Sequence, residues 1–174
     1  MSVLALALDG ESFVAGPVTV DIAARTVCRI PIPADAAWRA CRDLLLDVAG
    51  EDEITAVGIC CPGPLDVVAG VVAPASIPQW GHGFALAAAV RRVFPAALVE
   101  LASDATCASL AHESFGAAPD MTGLAGAGVL ALLAEEYADR LPASAHPGGY
   151  DSRLGRARTA HRLGGRMSCV HRGR

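Results

Sequence analysis

The chain has 174 residues, 53% of them hydrophobic, and a formal net charge of −4 at pH 7. This length suits one domain, or one domain with a tail, and a domain near 150 residues is large enough to bury a full core. No apolar run reaches the ~18 residues that a membrane-spanning helix requires, and the N-terminus lacks the basic leader of a signal peptide. We therefore expect a cytoplasmic protein without a membrane partner.

Charge is distributed unevenly along the chain. Residues 1–150 carry 7 arginines against 17 acidic residues, whereas residues 151–174 carry 7 arginines and one aspartate. From residue 142 onward there is almost no apolar periodicity, which predicts a disordered, arginine-rich tail over 142–174. A solvated extension is favoured over a nucleic-acid contact, and a frameshift past about residue 120 would also explain the change in composition.

The six cysteines match neither a disulfide framework nor a CxxC pair, and five lie inside apolar runs. That placement is typical of buried, reduced thiols. A few C-terminal residues carry metal-ligating groups, but their spacing fits no zinc template. These residues are His146, His161, Cys169 and His171. No metal site is predicted.

Hydrophobic periodicity predicts the elements in chain order. Strands are predicted over 3–8, 13–20, 25–30, 54–59 and 98–101, with a short return strand over 67–73. Helices are predicted from Pro33 to about Val48, over 84–94, from about 104 to 115, and over 129–141. Up to about residue 115, and without the short return strand, the order is β-β-β-α-β-α-β-α, that of a half-domain of the actin-like, ribonuclease H-like ATPase fold.

The strand over 98–101 gives way to a helix near Ser103 and Asp104. Either side chain is suited to cap that helix, because its oxygen accepts from the free amides of the first turn. Gly116 supplies a natural end. A carboxylate is thus placed at the carboxyl edge of a sheet, where ligands bind in open α/β sheets. Asp104 is therefore either a helix cap or a general base that faces a cleft.

Residues 123–128, Gly-Leu-Ala-Gly-Ala-Gly, form the nearest candidate for a glycine-rich phosphate cradle. The segment after it reads as an ordinary helix. A flexible start to that helix is favoured over a phosphate site, since glycine-rich stretches commonly form loops.

Three motifs in one order resemble the ROK family, which comprises bacterial sugar kinases and sugar-responsive repressors. Residues 103–116 resemble its N-D-A-N-A-A-x-L-A-E-x-x-F-G segment, with Asp104 at the family aspartate. Residues 57–66 are similar to V-G-I-G-x-P-G-P-V-D, and residues 70–80 to G-x-V-x-x-P-N-L-P-G-W, with Ser76 in place of asparagine.

The resemblance covers roughly residues 3–118. It implies an α/β fold, the N-terminal lobe of an actin-like ATPase, with a mixed sheet and flanking helices. The expected division is a lobe over 1–118, a helical segment over 119–141 and the tail over 142–174.

The resemblance also implies a reaction, the ATP-dependent phosphorylation of a hexose or N-acetylhexosamine with Mg²⁺. Asp104 would take the proton from a sugar hydroxyl, which contributes about 10²–10⁴-fold to such reactions. Ser103 and Asp104 would bind sugar hydroxyls. The turn at Pro62 and Gly63 and the residue Ser76 would line the sugar cleft.

The implied phosphate loop departs from the family pattern D-x-G-G-T-K. Aligning Gly16 with the later family glycine puts Ala7 at the metal-binding aspartate and places Asp9, Gly10 and Glu11 at the next positions. Two acids would then face the phosphates, and each like-charge contact at ~4 Å costs ~1 kcal/mol in water and ~4 kcal/mol at an effective dielectric of 20. A second register, with Asp9 as the metal carboxylate, loses both glycines, so Asp9 and Gly10 are doubtful nucleotide contacts.

The family's later motifs, including its zinc motif, have no counterpart after residue 116. We therefore expect a truncated, kinase-like protein that is weakly active or inactive, binds a small-molecule sugar, and forms a homo-oligomer if a second chain supplies the missing half. The alternative is a non-catalytic sugar-binding or regulatory module related to the ROK repressors. The absence of a helix-turn-helix motif before residue 3 weakens that alternative.

Overall fold

The structure is a computed structural model that describes residues 2–18, 26–115, 122–140 and 170–171. The strands are β1 (Ser2–Leu8), β2 (Ser12–Val18), β3 (Thr26–Pro31), β4 (Ile54–Cys61), β5 (Leu65–Asp66), β6 (Val71–Val72), β7 (Leu98–Ser103) and β8 (Val170–His171). The helices are α1 (Ala37–Ala49), α2 (Leu86–Val93), α3 (Asp104–Phe115) and α4 (Thr122–Arg140), with a 3-10 turn at Pro78–Trp80.

A mixed sheet forms the centre of the molecule, with the strand order β7-β4-β1-β2-β3-β8. Strand β4 runs parallel to both β1 and β7, while β2 is antiparallel to β1 and to β3. The short strands β5 and β6 form a separate hairpin. The predicted mixed sheet with flanking helices, typical of the N-terminal lobe of an actin-like ATPase, is confirmed.

Each face of the sheet has its own core, because side chains of a strand alternate between the two faces. On β1, the larger side chains lie in the core with α1 and α2, and the smaller ones lie in the core with α3 and α4. The first set is Leu4, Leu6 and Leu8, and the second is Val3, Ala5 and Ala7. The second face is therefore built from small side chains, and α4 approaches the sheet closely.

The glycine-rich segment predicted to be a flexible start of a helix lies inside helix α4, which corrects that prediction. A Cβ added at Gly126 would lie 2.0 Å from the carbonyl oxygen of Cys107 on α3. On β4, a Cβ at Gly58 would lie 1.8 Å from the carbonyl oxygen of Ala127. The glycines are needed for backbone contact, and the close packing outweighs their low helix propensity.

The other helix boundaries differ from the predictions by a few residues. Helix α1 begins at Ala37 rather than near Pro33, and α2 covers Leu86–Val93 within the predicted 84–94. Gly116, predicted to end α3, lies outside the described residues. The tail over 142–174 also lies outside them except for β8, which pairs with β3, so its predicted disorder stays a prediction.

Among the described helices, none is both long enough and apolar enough to cross a lipid bilayer.

Substitution of Gly126 tests whether the close packing of α4 against α3 requires a glycine at this position. We expect Gly126→Ala to lower the free energy of unfolding by about 1–3 kcal/mol, the usual range for overpacking, although alanine favours a helix over glycine by about 1 kcal/mol. The clash is with backbone atoms of Cys107, which cannot move without shifting α3. Urea unfolding followed by circular dichroism measures the change.

Gly123→Ala is the matched control in the same helix. A Cβ there would lie 3.1 Å from the Cys60 Sγ atom, a side-chain contact that small movements relieve. Equal unfolding free energies for the two variants would contradict the packing argument.

Candidate functional site

The parallel strands β1, β4 and β7 end at one edge of the sheet, and all of the predicted site residues except Ser76 lie where these strands end. In the strand register, Ala7 is opposite Cys60, and Cys61 is opposite Ser103. Asp9 and Gly10 follow β1, Pro62 and Gly63 follow β4, and Asp104 follows β7. The sheet therefore brings three of the predicted segments to one edge.

The structure distinguishes between the two candidate caps of α3. The Ser103 Oγ atom accepts a hydrogen bond from the backbone amide of Thr106 at 3.2 Å, and it lies 3.0 Å from the Thr106 hydroxyl. Ser103 is thus the N-cap residue. Asp104 is the first residue of the helix and is exposed. Its carboxylate is left to face solvent at the sheet edge.

Cys60 contacts Asp104 directly. The Cys60 thiol donates a hydrogen bond to Asp104 Oδ1 at 3.1 Å, although Cys60 itself is 1% exposed. The hydrogen bond with Cys107, burial and the nearby Asp104 all raise the pKa of Cys60. Burial and Asp104 raise the pKa of Cys61 to about 12. Both groups are therefore neutral thiols, and Cys60 serves Asp104 as a hydrogen-bond donor.

Sequence reasoning took Cys60 only for a buried thiol and missed this contact. A signal was present, because Cys60 stands at a glycine of the V-G-I-G-x-P-G-P pattern. A side chain added at that position of β4 is directed toward the α3 side of the sheet.

The turn after β4 is held by local hydrogen bonds. The Cys61 thiol donates to the carbonyl oxygen of Pro62 at 3.2 Å, and the amide of Ala73 donates to the carbonyl oxygen of Pro64 at 2.9 Å. Gly63 is exposed at the tip of the turn. The turn therefore lies beside the end of β7, and its backbone is fixed to the strand pair that follows it.

Ser76 lies on a separate loop, which Gln79 ties to the start of α1. The Gln79 side chain accepts from the amide of Ala37 at 3.1 Å and donates to the carbonyl oxygen of Ala34 at 2.6 Å. It thus caps α1, whose own N-cap residue, Ala36, makes no side-chain cap bond. Gln79, 42 residues from the amide that it caps, was not identified from the sequence.

Aromatic packing holds the same loop against the core. The Trp80 ring stacks on Phe84 at 4.6 Å and lies 5.8 Å from the Phe13 ring on β2. Ser76 itself is exposed. The loop that carries Ser76 is therefore anchored to the core by its aromatic neighbours.

Asp9 is held by the turn between β1 and β2. Its Oδ1 atom accepts from the amides of Ser12 at 2.7 Å and Glu11 at 3.2 Å, and the Ser12 hydroxyl donates to it at 2.8 Å. Arg29 on β3 forms an ion pair with the same carboxylate. Burial opposes ionisation, but these hydrogen bonds and Arg29 outweigh it and lower the pKa of Asp9.

The residues of this turn do not fit Mg²⁺-ATP. Ala7, aligned with the family's metal-binding aspartate, is a core residue that is 6% exposed. The carboxylate of Asp9 is committed to Ser12 and Arg29, and the Glu11 carboxylate adds further negative charge. Within the described parts of the chain, His, Cys, Asp and Glu side chains form no group of three that could hold a metal ion.

The network around Asp9 predicts a pH-dependent stability. Because its pKa is lower in the folded state than the ordinary value of 3.8, the ionised carboxylate stabilises the fold at higher pH. That stability is lost as the pH falls through the folded pKa. Asp9→Asn should therefore be less stable than wild type at pH 7, with the gap closing below about pH 4.

Thermal unfolding of both proteins over this pH range measures the gap. A difference in melting temperature that stays constant from neutral to acidic pH would contradict the assigned network.

Comparisons with known proteins were made for both the sequence and the structure. No family model matches the sequence, and no curated protein matches it. Solved structures do match the fold. A ROK hexokinase from Thermus thermophilus is 27% identical, with a TM-score of 0.57 over 67% of this chain and 40% of that chain.

Two further structures show the same fold at lower identity. A ROK glucokinase from Streptomyces griseus, in complex with glucose and AMPPNP, is 22% identical, with a TM-score of 0.53 over 67% of this chain and 38% of that chain. A ROK transcriptional regulator homologous to the E. coli MLC protein is 16% identical, with a TM-score of 0.54 over 66% and 30%.

The chain thus spans about two-fifths of the length of the ROK hexokinase that it matches. The fold of this chain is therefore similar to that of the N-terminal lobe of ROK proteins.

Proposed function

We propose that this chain binds a hexose or N-acetylhexosamine at the carboxyl edge of β4 and β7, with Asp104 as the central acceptor. The observation that carries the proposal is the division of roles between Ser103 and Asp104. Ser103 makes the cap hydrogen bond to Thr106. The Asp104 carboxylate is consequently exposed at the edge and available to a ligand.

The position of Asp104 suits a polar ligand. It lies in the first turn of α3, where the free amides favour a negative charge. Cys60 fixes one carboxylate oxygen, Oδ1, by a hydrogen bond, so the other oxygen can accept from a sugar hydroxyl. Hydrogen bonds to a charged acceptor contribute about 1.5–3 kcal/mol, enough for selective recognition of hydroxyl groups.

The residues around Asp104 provide the rest of the proposed cleft. Pro62 and Gly63 lie at the end of the neighbouring strand, where the exposed backbone of Gly63 offers further hydrogen-bonding groups. Ser103 is half-buried beside Asp104. Ser76 would take part as a second wall, which requires that the ligand reach the loop anchored by Gln79.

Phosphorylation of the bound sugar is proposed to be weak or absent. Most catalysis of phosphoryl transfer comes from positioning and charge neutralisation of the phosphates, and the turn at Asp9 does not fit Mg²⁺-ATP. In the family reaction Asp104 would hold and remove the proton of the attacking hydroxyl. A sugar is the proposed small-molecule partner; a homo-oligomer and a cytoplasmic location stay predictions.

A regulatory role is the second candidate. The similarity to a ROK transcriptional regulator, as well as to kinases, supports it, and so does the poor fit at the phosphate turn. In that role sugar binding alone would be the function. The two candidates share the Asp104 site and differ only in phosphoryl transfer.

We expect the purified chain to show little or no ATP-dependent sugar kinase activity. The reason is the absence of a metal carboxylate at Ala7 together with the engaged Asp9. A coupled assay with glucose, N-acetylglucosamine and N-acetylmannosamine measures the rate. Turnover in the usual kinase range of about 1–100 s⁻¹ would show that this expectation is wrong.

Asp104→Asn tests the sugar site. The change replaces a charged acceptor with a neutral one, so affinity should fall roughly ten- to a hundredfold, at 1.4 kcal/mol for each factor of ten. Stability should change by no more than about 1 kcal/mol, since only a first-turn charge is lost. Calorimetric titration with a panel of hexoses and N-acetylhexosamines measures the affinity.

Asp139→Asn is the matched control, since it removes one exposed carboxylate from the last turn of α4. Glu135, one turn earlier, bonds to Thr55 at the start of β4, so this end of α4 lies at the opposite edge of the sheet. The control should bind like wild type. If Asp104→Asn also binds sugar as tightly as wild type, the sugar-site proposal fails.

A further inference from the structure

The turn between β1 and β2 contains a set of hydrogen-bond donors that converge on one oxyanion. The donors are the amides of Glu11 and Ser12, the hydroxyl of Ser12 and the guanidinium of Arg29. Ser12 is 6% exposed and is the one buried polar or charged side chain among the described residues. Its hydroxyl also accepts from Arg29 Nη1 at 2.8 Å. These donors form an anion-binding site, and the anion that they bind is the carboxylate of Asp9 in the same chain.

We propose that the Asp9 carboxylate is an internal occupant of an anion-binding turn, and that it excludes phosphate groups from the β1–β2 end of the sheet. Asp9 is thus a specificity-determining residue. The resemblance implies that nucleotide phosphates bind at this turn, and the residues present do not fit them. The Asp9 side chain is the physical reason why this turn does not fit nucleotide phosphates.

The amide and hydroxyl of Ser12 cannot serve two anions at once. Ser12 has one hydroxyl proton, and its Oγ atom lies 2.8 Å from both carboxylate oxygens of Asp9. The amide of Ser12 already donates to Asp9 at 2.7 Å. An incoming phosphate would find these donors taken and would meet a fixed negative charge at the same place.

The internal occupant also has an entropic advantage. Asp9 is tethered three residues from Ser12, so its local concentration at the donors is far above that of any free ligand. A free phosphate would in addition lose translational and rotational freedom on binding. Asp9 therefore weakens the binding of a free phosphate relative to its affinity for the empty turn.

The ion pair extends this arrangement across the sheet. Arg29 lies on β3, opposite Val14 of β2, and reaches the turn from the neighbouring strand. Without Asp9, Arg29 and the Ser12 hydroxyl would be left facing each other with no anion between them. Such a pair is the kind of group that binds an oxyanion.

Truncation of Asp9 is the test, with ¹H–¹⁵N correlation spectra of the full chain as the readout. In Asp9→Ala, titration with inorganic phosphate, tripolyphosphate or Mg²⁺-ATP should shift the Glu11 and Ser12 amides in a saturable way. We expect affinity for tripolyphosphate at least about tenfold tighter than in wild type, which corresponds to about 1.4 kcal/mol. The double variant Asp9→Ala, Arg29→Ala should lose this gain in affinity for tripolyphosphate.

Glu11→Ala is the matched control, because it removes the same charge from the same turn while leaving Asp9 in place. It should bind tripolyphosphate no better than wild type. Equal gains in Glu11→Ala and Asp9→Ala would mean that net charge alone excludes phosphate, and the proposal would fail. The proposal also fails if the spectrum of Asp9→Ala is that of a folded protein and the variant binds tripolyphosphate no more tightly than wild type.

A measurement on the wild-type chain covers the case in which Asp9→Ala does not fold. The proposal requires that millimolar Mg²⁺-ATP leave the Glu11 and Ser12 amides unmoved, while acidification through the Asp9 titration moves both. Saturable ATP shifts at these amides in wild type would overturn it. None of these readouts depends on sugar binding at Asp104.

Discussion

The parallel pairing of β4 with β1 on one side and β7 on the other is the constraint on which the site depends. Parallel neighbours end at the same edge, so one register fixes the positions of three turns that are far apart in sequence. The opposition of Cys61 and Ser103 places the Pro62 turn beside Asp104. The opposition of Ala7 and Cys60 places Asp9 one strand further along. Chemistry at this edge is therefore set by backbone hydrogen bonds before any side chain contributes.

Along that edge, the acidic residues have different surroundings. Asp9 is fixed by Ser12 and Arg29, and its negative charge is neutralised by the ion pair with Arg29. Asp104 touches the Cys60 thiol and otherwise faces outward. The helix cap supplied by Ser103 accounts for this difference, since it satisfies the amide of Thr106 without using Asp104. The carboxylate of Asp9 is thus neutralised within the fold, whereas that of Asp104 stays accessible. The proposed sugar ligand would bind at Asp104.

Local patterns predicted the elements of the fold and the strand-to-helix position of Asp104. The continuous apolar run of β1 and the periodic apolar residues of α1 and α2 are local signals, and the structure confirmed these elements. Three contacts escaped prediction because they join distant parts of the chain: Arg29 with Asp9, Gln79 with the start of α1, and Cys60 with Asp104. The glycines of α4 were misread because a glycine that permits close packing looks, in sequence, like one that permits flexibility.

The close contact between α4 and β4 also has a consequence for how the chain folds. Gly58 meets the carbonyl of Ala127, nearly 70 residues later, so this contact has a large sequence separation. Such contacts close long loops and slow folding. During synthesis, β1 and β4 emerge well before α4, and the face that carries Val3, Ala5 and Ala7 lacks its α4 cover until the residues from Leu124 to Ala131 have been made. The nascent lobe therefore has one open face of its sheet between the synthesis of β7 and that of α4.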